Sequence, residues 1–196
     1  MKYAIVINRE YGSGGRLIGK KLADRLGIPF YDNELIRLTA DKSGFSEEYV
    51  RETAEKKTIS LLYSLYMTSL PISDRLFLAQ SQVIRDLAAK EPCVIVGGCA
   101  DYVLKDMKGL IKVFIHAPFE DRVRRVQEEY GEIINSEDNK NYVTRMDKKR
   151  VTYYRYFTQY KWGRAHDYNI ALDSRGGIEI CADVIEAYVK AFLKFS

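Results

Sequence analysis

A glycine-rich segment near the amino terminus has the residues best suited to chemistry. It reads REYGSGGR over residues 9–16 and lies between an apolar run at 3–8 and a stretch with helical spacing. A turn here leaves backbone N–H groups unpaired and directs them, with the positive end of the helix dipole, at one place. Glycines allow positive φ and the close approach of a bulky anion. We therefore expect either a structural turn without a ligand or, as we favour, a phosphate cradle formed by Gly12, Ser13, Gly14, Gly15, Arg16 and Leu17.

This segment departs from the usual nucleotide-binding loop, GxxxxGK[ST], in which the Lys contacts the β- and γ-phosphates and the hydroxyl binds Mg²⁺. Arg9 stands at the position of the first Gly, and Gly15 stands at the position of the Lys. Arg16 follows where a hydroxyl residue is expected. A guanidinium at Arg16 can replace the lysine charge with a different geometry, and Ser13 is left as the candidate magnesium ligand.

Three other features of the sequence are weaker candidates for sites. Tyrosines alternate with basic residues along 153–161, as in surfaces that stack single-stranded nucleic acids. Their spacings of three and four also describe the buried face of a helix, which is the interpretation we favour. His116 has no second His or Cys at ligand spacing, so no metal site is expected there. Cys99 is expected to be a small buried residue.

Short apolar runs alternate with helical patterns along the chain. The runs predict five strands, at 3–8, 28–31, 94–96, 112–115 and 168–172. Helices are predicted after the glycine segment with a stop at Gly27, at 119–130, as one or two helices within 136–160, and at 178–195. Residues 33–91 are almost entirely helical in pattern, with helix starts at Ser46 and Ser73 and a break at Pro71.

This alternation predicts an α/β protein with a parallel sheet and helices on both faces. In such sheets ligands bind beyond the carboxyl ends of the strands. The glycine segment, Asp32, and the residues that follow the third, fourth and fifth strands are therefore expected to share one edge.

Composition sets further bounds on the kind of protein. The 196 residues are 46% hydrophobic and 30% charged, which suits one well-filled core and argues against disorder. A net charge of +4 suits an anionic ligand without implying nucleic acid. Three cysteines form neither a CxxC pair nor an even framework, so we expect a reducing compartment, the cytoplasm. No apolar run reaches the length that a membrane span needs.

Several motifs, in this order, resemble the cytidylate kinase-like family, a branch of the P-loop nucleoside monophosphate kinases. They are REYGSGGRLIGKKLADRLGIPFYD at 9–32, CVIVGGCAD at 93–101, VFIHAPFEDRVRRV at 113–126, DKKR at 147–150 and YNIALDS at 168–174. The resemblance implies a three-layer P-loop NTPase-type fold with a five-stranded parallel sheet. It further implies a single kinase-like domain with its core at 1–32, 92–130 and 165–196, a helical nucleoside monophosphate-binding lobe at 33–91 and a helical lid at 131–164.

The resemblance also places candidate residues for the phosphate acceptor. Asp32 and Arg37 lie where family members bind the monophosphate, although a helix cap and a surface charge explain them equally well. After the third strand the family carries Asp-Gly-Arg, whose Arg grips the acceptor phosphate. This chain has Val96-Gly97-Gly98 there, and the nearest carboxylate is Asp101, which is either a substrate ligand or a helix cap.

The predicted lid is rich in basic residues. Asp147 and Arg150 reproduce the DxxR spacing of the cytidylate kinase lid, and Asp147 is expected to bind substrate. Such a field attracts a polyphosphate and stabilises the charge on a transferring phosphoryl group. For Lys148, Lys149 and Lys161 a solvated helix surface is the better explanation. The arginines expected to act in catalysis are Arg16, Arg122, Arg125, Arg150 and Arg155.

The resemblance therefore implies phosphoryl transfer from ATP, with Mg²⁺, to a nucleoside monophosphate of the cytidylate type or a related small acceptor. The alternative is a nucleotide- or phosphate-binding protein of the same fold without transfer, which the altered loop favours. The expected partner is a small-molecule nucleotide, with no nucleic acid and no membrane. A homodimer is possible if the helix expected at 58–67 packs against a second chain.

Overall fold

Five parallel strands form the centre of the molecule. The computed structural model describes residues 2–43, 71–129 and 136–195. In this part of the chain the strand order is β2-β3-β1-β4-β5, and all neighbours are parallel. The strands are β1 Ala4–Arg9, β2 Phe30–Tyr31, β3 Cys93–Val96, β4 Leu110–His116 and β5 Ile170–Asp173.

Helices connect these strands and cover both faces of the sheet. A short 3₁₀ turn, Ala165–Asp167, precedes β5, and another, Ser174–Gly176, follows it. The α-helices of the described residues are α1 Gly15–Leu26, α2 Asn33–Ser43, α3 Ile72–Lys90, α4 Ala100–Val103, α5 Phe119–Glu129, α6 Ser136–Thr158 and α7 Ile178–Phe195.

The central strand β1 shows why the sheet is covered on both sides. Its residues from Ala4 to Ile7 are at most 1% exposed. Ile5 and Ile7 pack with apolar residues of α1 and α7, whereas Ala4 and Val6 pack with α3. Because successive side chains of a strand point to opposite faces, one continuous apolar run supplies two cores. The molecule is therefore a three-layer α/β structure, as the sequence predicts.

The predicted elements are confirmed within the described residues, with shifted ends. β3 and β4 begin one and two residues earlier than predicted, and β2 is only two residues long. The basic, tyrosine-rich segment forms a single helix, α6. Gly27 ends α1 at a φ of 63°, and Pro71 precedes α3 directly. The helix start predicted at Ser46 and the helix predicted at 58–67 lie outside the described residues.

Two further expectations concern the chain as a whole. The three cysteines, Cys93, Cys99 and Cys181, are buried free thiols. Burial raises the pKa of the Cys93 thiol to about 12, so this thiol is protonated at neutral pH. None of the helices in the described ranges is long and apolar enough to cross a lipid bilayer.

Candidate phosphate-binding site

The glycine segment forms a tight loop between β1 and α1. Gly12 and Gly14 have φ values of 76° and 78°, in the left-handed region that favours glycine. A Cβ on Gly12 would lie 2.5 Å from the carbonyl oxygen of Arg122, so α5 packs directly on the loop backbone. Gly14 caps α1 without a side-chain hydrogen bond, and no acidic residue occupies the first turn. The positive end of α1 is therefore available to an anion.

A cleft of about 220 Å³ opens at this loop. Three arginines and one carboxylate surround it, which gives the cleft a positive balance that suits phosphate groups. Arg16 comes from the first turn of α1 and Arg150 from the middle of α6. The full lining is Arg9, Glu10, Tyr11, Gly12, Gly14, Gly15, Arg16 and Arg150.

Arginines of α5 and α6 fix the carbonyl groups of the loop. Nη1 of Arg150 donates to the Arg9 carbonyl at 2.9 Å, and its guanidinium lies over the Tyr11 ring at 4.9 Å. Nη1 of Arg125 donates to the Gly12 carbonyl at 2.8 Å, and Nη1 of Arg122 donates to the Tyr11 carbonyl at 3.1 Å. These arginines therefore shape the loop, and of the three only Arg150 also lines the cleft.

Asp147 and Ser174 hold the loop from two further sides. Asp147 accepts from the Tyr11 backbone N–H at 2.8 Å and pairs with the buried Arg122 guanidinium. The buried hydroxyl of Ser174, just beyond β5, donates to the Ser13 carbonyl at 2.7 Å. Ser174 belongs to the strand-end positions, Asp173 and Ser174, that the sequence predicts at the ligand edge, but the sequence has no signal for its bond to the loop. A substrate contact for Asp147 remains a prediction, whereas its contact with the loop is direct.

The arrangement of protein ligands does not fit a magnesium ion. The Arg16 guanidinium, at the loop position of the metal-binding hydroxyl, pairs with Asp32 at 2.5 Å. Ser13 is 1% exposed, and its hydroxyl donates to the Glu10 carbonyl at 2.8 Å, so the structure does not support it as a magnesium ligand. Nowhere in the described residues do three or more His, Cys, Asp or Glu side chains gather to hold a metal.

Asp101 lies behind the turn that follows β3. It is 6% exposed, and its Oδ2 accepts from the Tyr154 hydroxyl of α6 at 2.7 Å. Its Oδ1 has no hydrogen-bond partner among the described residues. Burial raises the pKa of this carboxyl above its usual range, and the bond from Tyr154 opposes that rise. In this structure Asp101 joins α6 to the turn after β3 and does not line the cleft.

Two further candidate residues do not line the cleft, and a third has no described side chain. Arg155 is exposed on α6 and Leu17 is partly buried in α1, and neither lines the cleft. Arg37 lies in α2, and its side chain is outside the described part of the structure. Their predicted roles remain predictions.

The tyrosines of α6 mostly serve packing. Tyr153 donates to Gln80 of α3 at 3.2 Å, and Tyr154 is buried. Tyr153 also contacts Phe157, whose ring stacks on Phe77 of α3 with centroids 4.1 Å apart. The interpretation of this face as the packed side of a helix is therefore supported over a surface that stacks nucleic-acid bases.

A second cleft, of about 450 Å³, adjoins the first at the carboxyl ends of β4 and β5. Glu10 lines both clefts. The carboxylate of Glu10 accepts from the Ala117 N–H at 3.1 Å and pairs with Arg122. Residues lining the second cleft include Phe114, His116, Pro118 and Asp173. The edge thus offers a polar cleft for phosphates beside a wider, partly aromatic one.

Comparison with known families agrees with this geometry. The model of the cytidylate kinase-like family matches residues 4–175. The chain belongs to the cytidylate kinase-like family. None of the curated proteins matches the chain.

Solved structures show the same fold. An uncharacterized protein from Eubacterium ventriosum ATCC 27560 is 29% identical, with a TM-score of 0.71 over 96% of this chain and 98% of that one. A gluconokinase from Sinorhizobium meliloti 1021 is 17% identical, with a TM-score of 0.62 over 97% and 93%. A shikimate kinase from Bacteroides thetaiotaomicron is 16% identical, with a TM-score of 0.57 over 96% and 98%. The fold is therefore that of the P-loop kinases, as the resemblance implies.

Proposed function

We propose that this member of the cytidylate kinase-like family transfers a phosphoryl group from ATP to a nucleoside monophosphate of the cytidylate type or a related small acceptor. The observation that carries the proposal is the loop cleft, where the open end of α1 and three arginines surround about 220 Å³. Backbone N–H groups and guanidinium groups are the usual ligands of polyphosphates. We assign the base of the nucleotide to the neighbouring cleft, because Glu10 lines both.

The carboxylates near the loop favour an acceptor that needs no general base. Glu10 and Asp147 both pair with Arg122, and Asp32 pairs with Arg16. A hydroxyl acceptor has to lose its proton to a base, whereas the oxygen of a phosphate monoester is already a nucleophile. Carboxylates held in this way suit a phosphate acceptor better than an alcohol.

The reaction is an in-line displacement. An acceptor phosphate oxygen forms a bond to the γ-phosphorus, the bond from that phosphorus to the β,γ-bridging oxygen breaks, and ADP leaves. Arginines of the cleft neutralise the charge that spreads over the transferring group. We assign α6 to the lid, because it supplies Arg150 to the cleft, and we expect it to limit access by water. Any Mg²⁺ is expected to be bound by ATP rather than by the chain.

A second candidate function is nucleotide binding without transfer. Two observations favour it: Gly15 replaces the loop lysine, and Gly97-Gly98 replace the residues that hold the acceptor phosphate in the family. The fold and the cleft would serve equally well for binding alone.

One experiment separates these functions. ATP binding is measured by calorimetry, and turnover is measured with CMP, dCMP, UMP, gluconate and shikimate, the last two because structural neighbours are a gluconokinase and shikimate kinases. Turnover with a monophosphate supports the kinase proposal. ATP binding without turnover on any acceptor supports the binding protein, and absence of ATP binding contradicts both.

A further inference from the structure

Arg9 is the last residue of β1, and its side chain lies against Gly15, the first residue of α1. A Cβ placed on Gly15 would lie 2.6 Å from the Arg9 Cβ and 3.0 Å from its Cγ. Real Cβ atoms do not approach other carbon atoms this closely. The stem of Arg9 therefore fills the volume that any side chain at position 15 would need.

The far end of the same side chain reaches the turn after β3. A Cβ on Gly97 would lie 2.5 Å from Nη1 of Arg9, and Gly97 has a φ of 88°. The reach is short because β1 and β3 are adjacent, with Ile7 opposite Val96. Gly97 therefore leaves the space in which the Arg9 guanidinium lies, at the edge of the loop cleft that Arg9 also lines.

In this loop the glycine and the cation of the usual pattern have exchanged positions. GxxxxGK[ST] places a residue without a side chain first and a cation seventh. In this chain the cation is first, at Arg9, and the residue without a side chain is seventh, at Gly15. Because both side chains would compete for one volume, the loop has room for one of these cations but not for both.

We propose that Arg9 takes the place of the loop lysine and binds the phosphate chain of the nucleotide from the β3 side of the cleft. This inference rests on the proposed function for the ATP site. The planar guanidinium can bond phosphate oxygens through a pair of parallel N–H groups, whereas a lysine ammonium acts as a point charge. Its position beside Gly97 also brings it toward the turn that lacks the acceptor arginine of the family, so that one side chain faces both phosphates.

Calorimetry with ATP and with inorganic tripolyphosphate tests this role. Arg9→Ala and Arg9→Lys should both weaken binding of either probe, the alanine by at least about tenfold. Arg85→Ala, at an exposed arginine of α3 outside both clefts, should bind like the wild type.

An exchange of the two residues makes the test specific. Gly15→Lys alone should lower both thermal stability and ATP affinity, because the new Cβ meets Arg9. The double variant Arg9→Gly with Gly15→Lys restores the usual order of the loop, and it should recover stability relative to Gly15→Lys and ATP affinity relative to Arg9→Ala.

The outcomes distinguish this inference from the proposed function. A folded Arg9→Ala protein that binds ATP like the wild type overturns the role of Arg9 and leaves the ATP site intact. If Arg9→Ala does not fold, the other two variants decide the question. Wild-type ATP affinity in Arg9→Lys overturns the role of Arg9. A folded double variant that binds no ATP also overturns it. Failure of the wild type to bind ATP contradicts the proposed function itself.

Discussion

Arg16 shows how one side chain changes the chemistry available to a glycine-rich loop. At this position the usual loop carries a hydroxyl that binds Mg²⁺. Here the guanidinium, half-exposed, pairs with an Asp32 carboxylate that is only 14% exposed. The chain thus places an Arg–Asp ion pair where the usual loop has the hydroxyl that binds Mg²⁺.

Replacing Arg16 by Ser should make nucleotide binding depend on magnesium. The change supplies the missing hydroxyl and frees Asp32, so both become available as metal ligands. We expect the ratio of ATP dissociation constants in EDTA and in Mg²⁺ to rise by about tenfold relative to the wild type. Calorimetry in the two buffers measures it, with Arg85→Ser as the control. Equal ratios in wild type and variant would show that the pair does not replace a metal ligand.

At the scale of elements, the loop is shaped by its contact with α5. Gly12 and Gly27 both have positive φ, yet a Cβ on Gly27 would meet nothing within 4 Å, whereas one on Gly12 would meet the backbone of α5. Gly12→Ala should therefore cost more than about 3 kcal/mol of unfolding free energy and abolish ATP binding. Gly27→Ala, which adds backbone strain alone, should cost about 1 kcal/mol and retain binding. If urea denaturation showed that Gly12→Ala and Gly27→Ala lose similar unfolding free energy, the close contact between Gly12 and α5 would be contradicted.

Asp101 and Tyr154 connect α6 to α4, the short helix after β3, and this connection should depend on pH. Burial raises the pKa of Asp101 above its ordinary 3.8. A carboxyl whose pKa is higher in the folded state favours folding when protonated, so this contribution is lost as the pH rises from 3.8 through the raised pKa. Asp101→Asn removes the titration. The unfolding free energy of the wild type minus that of the variant should fall as the pH rises above about 4 in urea titrations. A difference in unfolding free energy that does not change with pH would contradict a raised pKa at Asp101.

The elements were largely predictable because each has a local cause. The apolar run of β1 is continuous because both faces are buried, and Gly27 marks the end of α1. The roles of charged side chains were less predictable, because spacing along α5 and α6 does not say which loop group each side chain meets. Arg122 was expected to act in catalysis and Asp147 to bind substrate, and both roles stay predictions. Their bonds to the Tyr11 backbone had no signal in the sequence.

Arg9 is another residue of the candidate site whose contacts could not be predicted from the sequence. The sequence shows it as a departure from the glycine of the usual loop. The Arg9 side chain approaches Gly15 and Gly97 because β1 and β3 are neighbours and because the side chain extends toward β3. Both facts come from the structure and not from the sequence.

At the scale of the whole molecule, the modest net charge of +4 is less informative than where charge gathers. Arg9, Arg16 and Arg150 line one cleft with Glu10 as its acidic member. Side chains from α5, α6 and the turn after β5 bond the loop carbonyls, so protein contacts alone can hold the shape of the cleft. A preformed cleft loses little conformational freedom on binding.

Nucleotide binding should therefore stabilise the whole fold, and the phosphate chain should supply most of the effect. At about one hundred times its dissociation constant a ligand adds ~2.7 kcal/mol, which for a chain of this size raises Tm by roughly 5–10 °C. Thermal unfolding with matched saturations of ATP and tripolyphosphate should show such shifts, while adenosine at the ATP concentration should give little. Salt should weaken both shifts, because mobile ions screen the arginines. If adenosine stabilised the protein as well as ATP does, recognition would lie in the wider cleft beside β4 and β5, and the arginines around the loop would not be the main ligands.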